Sequence, residues 1–123
     1  GNCQKTMSII IYHNPRCSKS RQTLEIIQSK GVSPTIIEYL VTPPDADTLL
    51  QISALLGKPL TELLRRGEAE FRDAGDAVPL ADERALAAWL NENPKVLERP
   101  IVVDDEKERA VVGRPPENVL SLL

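Results

Sequence analysis

The sequence predicts an α/β fold in the order β-α-β, helices, then β-β-α, and three observations predict it. Near the start, a β-branched run gives way to a helical stripe and then to a second β-branched run. The middle of the chain carries stretches with apolar residues at helical spacing. Towards the end, the short runs IVV and RAVV flank DDEKE, which reads as a hairpin.

Each element has a local reason. Ser8 to Tyr12 is apolar, β-branched and too short for a helix, so it reads as a buried strand. From Ser18 to Lys30, Leu24, Ile26 and Ile27 form a stripe at helical spacing, and Gly31 stands where a helix C′ residue belongs. Thr35 to Leu40 reads as a second strand. Strand, helix and strand in this length make a βαβ unit with a right-handed crossover. TPPD then breaks the chain, and Asp45 can cap a helix whose inner face carries Leu49, Ile52 and Leu56 and which Gly57 ends. Leu60 to Arg66 reads as a shorter helix, FRDAGDAVPLAD as irregular loop, and Asp82 to Asn93 as a helix with Leu86, Trp89 and Leu90 facing in. Pro94 stops that helix. The hairpin pairs Ile101–Val103 with Arg109–Val112, and PPENVLSLL reads as a last short helix with proline in its first turn.

Composition narrows the class. At 123 residues the chain is most simply one domain. Residues 7–123 are assigned to it, and residues 1–6, ahead of Met7, to a cloning remnant or tail in which Cys3 is an idle thiol. A net charge of -3 gives no basic surface for nucleic acid. No apolar stretch approaches the roughly 20 residues of a membrane span, and no signal peptide is visible. The expectation is a soluble cytoplasmic protein without nucleic-acid or membrane partners. Two cysteines cannot make a disulfide framework of the secreted kind.

Cys17 sits in HNPRCSKS, a polar loop running from a strand end into a helix start. Helix N-termini present unpaired N–H groups and a partial positive charge, so they bind anions, a thiolate included. Lowering a thiol pKa by about 2 units takes ~2.7 kcal/mol of differential stabilisation, of which a helix terminus supplies up to about 2. His13, Arg16, Lys19 and Arg21 are cations or potential cations close in sequence. Ser18 and Ser20 read as capping residues. Arg99 precedes the first hairpin strand and Arg114 follows the second, so both come to one end of the sheet. If the Ile101 strand runs antiparallel to the first strand, that end also carries Cys17. Arginine binds tetrahedral oxyanions with a two-pronged fork.

Taken together, HNPRCSKSR, LLRRGE, ERPIVVD and VGRPPENV resemble the ArsC family of glutaredoxin-coupled arsenate reductases. The resemblance runs through nearly the whole chain from Met7. It implies a thioredoxin-like fold, with a mixed four-stranded sheet and a helical insertion, and it makes Pro100 a candidate cis-proline. It implies Cys17 as nucleophile, His13 as the histidine that helps activate it, and Arg65, Arg99 and Arg114 as oxyanion-binding arginines. Ser20 and Arg21 match the polar pair that closes the loop. Residue type and spacing by themselves give Arg65 no place. The implied chemistry is reduction of arsenate or a related oxyanion, with glutathione as co-substrate, glutaredoxin as partner, and no bound cofactor or metal. It also explains how one thiol suffices, because the second is borrowed. Gly-Thr commonly follows the cysteine in the family, where this chain has Ser18 and Lys19. Two other readings stay open: a regulator of RNA polymerase like the Spx proteins, and a monothiol glutathione-dependent transferase.

Overall fold

The structure is a computed structural model describing residues 8–123, so the expectations for residues 1–6 and Cys3 lie outside the described residues. The chain divides into two compact units. One comprises the residues up to Ile37 together with Arg99–Leu123, and the other is Glu38–Glu98.

The unit built from the chain ends holds the sheet. β1 (Ile9–His13) is almost wholly buried, and its isoleucines account for the strand: β-branched side chains suit a pleated, covered surface. α1 (Ser18–Ser29) follows. Its backbone turns at Lys30, and Gly31 takes the left-handed conformation, φ +77°, that ends the helix. β2 (Thr35–Glu38) is shorter than Thr35 to Leu40, because the N–H groups of Val41 and Thr42 both turn back to the Glu38 carbonyl at 2.9 Å. β3 (Ile101–Asp104) and β4 (Arg109–Val112) form the hairpin, with Ile101 opposite Val112 and Asp104 opposite Arg109. The Asp104 carboxylate closes the turn by accepting from the N–H groups of Glu106 and Lys107.

The strand order is β2-β1-β3-β4. β3 runs antiparallel to β1, with Tyr12 opposite Ile101 and Ile9 opposite Asp104. That register puts the end of β1, the start of β3 and the end of β4 on one side of the sheet. Ile9, Ile11, Ile27, Val102, Val119 and Leu122 form the core between strands, α1 and a C-terminal 3₁₀ segment, Pro116–Leu122. Each fully buried aliphatic side chain contributes about 1.5–3 kcal/mol relative to exposure.

The Glu38–Glu98 unit is helical. Asp45 caps α2 (Ala46–Leu56) by accepting from the Thr48 N–H at 2.8 Å, and Gly57 at φ +67° ends it. The expected helix from Leu60 to Arg66 is only a 3₁₀ turn, Leu60–Leu63. Beyond it the backbone pairs with a distant segment: Leu64 bridges Leu97 antiparallel, and the Arg65 N–H donates to the Val96 carbonyl at 2.6 Å. The stretch expected as loop contains α3 (Ala69–Ala74) and a 3₁₀ turn at Gly75–Ala77. α4 (Glu83–Glu92) starts from Asp82, which accepts from the N–H groups of Arg84 and Ala85. Leu49, Ile52, Leu60, Leu63, Leu86, Leu90, Val96 and Leu97 fill this unit's core. Trp89 is half-buried beside them, its ring meeting Phe71 edge-on with centroids 6.4 Å apart.

Candidate active site

Cys17 occupies the N-cap position of α1. Asn14 holds the turn that delivers it: the Asn14 carbonyl accepts from the Cys17 N–H, and the Asn14 side chain accepts from the Arg16 N–H, both at 3.0 Å. An asparagine before proline favours such a turn, a signal in HNPRC that was available in the sequence. The helix then begins with the Arg21 N–H donating to the Cys17 carbonyl at 3.0 Å. The Cys17 side chain forms no cap hydrogen bond and stays partly exposed, so the first-turn N–H groups face a sulfur in place of the usual oxygen.

Burial pushes the Cys17 thiol up. The Ser20 N–H, the Arg99 side chain, the Lys19 N–H and the Arg99 charge outweigh it and hold the thiol below its ordinary 9.0. The Arg114 guanidinium adds a contact from Nη2 to Sγ at 3.8 Å. Arg114 is itself oriented by Nε donating to the Arg99 carbonyl at 2.8 Å. Arg99 and Arg114 come together because β3 starts where β4 ends, and they meet Cys17 because β1 ends there too. The Arg99–Pro100 and Arg114–Pro115 peptide bonds are both cis.

His13 and Ser20 lie beneath the loop and are buried. Nδ1 of His13 is 2.6 Å from Ser20 Oγ, which also accepts from the Asn14 N–H at 3.0 Å. His13 thus reaches the thiol's surroundings through Ser20, whose N–H is among the groups that stabilise the thiolate. Arg21 is exposed, and its backbone belongs to the first helical bond. Arg65 belongs to the Glu38–Glu98 unit, where Nε lies 3.4 Å from Glu68 and Nη1 3.5 Å from Glu98. Among the described residues, no group of three His, Cys, Asp or Glu side chains could hold a metal, and no helix is long and apolar enough to cross a membrane.

Thr23 and Gly113 were not singled out in the sequence. Thr23 is fully buried and donates from its hydroxyl to the Lys19 carbonyl at 2.8 Å, with the Gly113 carbonyl 3.5 Å away. A threonine back-bonding within its own helix leaves no periodic signal, and its second partner is 90 residues distant.

The family model of ArsC matches residues 12–122. The chain is 44% identical over 119 residues to Escherichia coli (strain K12) protein YfgD, covering 96% of this chain and 98% of that one. It is 39% identical over 116 residues to the arsenate reductase of Neisseria meningitidis serogroup A, covering 94% and 97%. The structure superposes on that of the arsenate reductase from Vibrio cholerae with a TM-score of 0.88 and 39% identity, covering 97% of this chain and all of the other. The mixed four-stranded sheet with its helices is thioredoxin-like. The chain belongs to the ArsC family.

Proposed function

We propose that the protein is an arsenate reductase working through Cys17, with glutathione and glutaredoxin as its thiol donors. The observation that carries the reading is the convergence on Cys17 Sγ of helix N–H groups, Arg99 and Arg114: the N–H groups and Arg99 lower the thiol pKa, and the two arginines supply donors for an oxyanion. The relatives named arsenate reductase, alike over most of their length, support the substrate.

The Cys17 thiolate attacks arsenic, an As–S bond forms, and an arsenate oxygen leaves as water after taking up protons. Arg99 and Arg114 offset the charge on the remaining oxygens. His13 and Ser20 keep the loop in the geometry that stabilises the thiolate. A glutathione thiolate attacks the adduct, and glutaredoxin completes the two-electron transfer. Arsenic(V) becomes arsenic(III), two thiols become a disulfide, and Cys17 is released with arsenite. No metal or organic cofactor takes part, and the setting is the cytoplasm, where thiols stay reduced.

A coupled assay tests this. Arsenate, glutathione and glutaredoxin are supplied, and NADPH oxidation is followed through glutathione reductase. Turnover above background that disappears in Cys17→Ser is expected. Background rates with wild-type protein would sink the reading. Co-purification with RNA polymerase would then favour a regulator, and reduction of glutathione mixed disulfides a transferase.

A further inference from the structure

Gly113 stands one residue before Arg114, and its φ lies outside the left-handed region, so backbone conformation does not call for glycine there. Space does. A Cβ on Gly113 would lie 2.5 Å from Thr23 Oγ1, 3.1 Å from Thr23 Cγ2 and 2.8 Å from Pro100 Cγ. The neighbours that would have to shift are a fully buried threonine and a buried ring, which have little room to give.

The three residues that meet at this point each adjoin a group acting on the sulfur. Pro100 follows Arg99. Gly113 precedes Arg114 and donates its N–H to the Pro100 carbonyl at 2.9 Å. Thr23, on the first turns of α1, donates to the Lys19 carbonyl, next to the peptide groups facing Cys17. Arg114 in turn donates to the Arg99 carbonyl at 2.8 Å, so the two arginines share one support.

We infer that Thr23 and Gly113 are positioning residues: the close approach of the Thr23 side chain to a glycine sets Arg99, Arg114 and the start of α1 at their working distances from the Cys17 sulfur. The inference rests on the reductase reading for its choice of oxyanion but not for its effect on the thiol. Neither residue touches the sulfur; both act through neighbours.

The test measures the rate of Cys17 alkylation by iodoacetamide against pH, with and without arsenate as protectant, alongside thermal melting. Gly113→Ala is expected to move the thiol titration up towards 9.0 and to weaken arsenate protection about tenfold, as misplacing catalytic groups by a fraction of an ångström does. Thr23→Ser keeps the hydroxyl and stays near wild type in both readouts. Thr23→Val keeps the shape, loses the hydroxyl, and shifts both in the direction of Gly113→Ala. A Gly113→Ala protein that melts earlier yet titrates and binds arsenate like wild type overturns the inference, because its role is then structural only. Should that variant fail to fold, the threonine pair decides: identical titration and protection in Thr23→Ser and Thr23→Val overturns it equally. Wild-type protein that arsenate does not protect would count against the reductase reading, while the titration still judges the contact.

Discussion

The first turn of α2 and the first turn of α1 face the same physical problem: backbone N–H groups without helical partners and a partial positive charge at their tip. At α2 the problem is settled by Asp45, whose carboxylate accepts from Thr48 and is held below its ordinary 3.8 by that hydrogen bond. At α4 the Asp82 carboxylate likewise accepts from two first-turn N–H groups. At α1 the cap position carries Cys17, no cap hydrogen bond forms, and the N–H groups lower a thiol pKa instead. The lesson is that one backbone feature serves stability where a carboxylate fills it and reactivity where a thiol does. The arginines divide in the same way. In one unit Arg99 and Arg114 attend the sulfur, while in the other Arg65 is paired with Glu68 and Glu98.

The contrast breaks most visibly at the sulfur. Cys17→Ser is expected to lower arsenate turnover by about a thousandfold or more in the coupled assay, since a hydroxyl there is neither ionised nor a comparable nucleophile. Arg99→Ala comes next: about a hundredfold in kcat/KM, with the alkylation titration of Cys17 moving up because both a hydrogen bond and a charge are lost. Unchanged titration in Arg99→Ala would remove Arg99 from the account of the thiolate. Asp82→Ala probes the stabilising kind of cap. It is expected to cost about 1 kcal/mol in denaturant melts and to leave kcat/KM within twofold.

The smallest effect is the pH dependence of stability. The Cys17 thiol is depressed in the folded state, so its contribution is fully present above the ordinary 9.0 and is lost as pH falls through the folded value. The stability gap between wild type and Cys17→Ser should therefore widen from pH 6 to pH 10. Asp45 has the same sign lower down: its contribution is present above 3.8 and lost as pH falls through its depressed value. Asp45→Asn should flatten that acid limb without touching turnover.

Features that depend on neighbours in sequence are legible in it. The first strand, the Asp45 cap, the Gly57 stop, the helix beginning near Asp82 and the hairpin around DDEKE are local, and each is present with ends displaced by a residue or two. The segment from Leu60 to Arg66 departs from the expected helix because Leu64 and Arg65 take their backbone partners from Val96 and Leu97, a pairing that helix propensity cannot foretell. α3 differs from the expected loop, because six residues without one buried side chain leave no periodic trace in the sequence. At the site, Cys17 and its two hairpin arginines followed from topology. Thr23 and Gly113 did not, since their importance is a contact across 90 residues.

The chain's single tryptophan, Trp89, lies against Phe71 within the Glu38–Glu98 unit, while the reactive sulfur lies in the other. Indole fluorescence and thiol alkylation are therefore separate reporters, one for each half of the molecule. Recording both along a single denaturant titration would show directly whether the halves lose their order at the same midpoint or in succession.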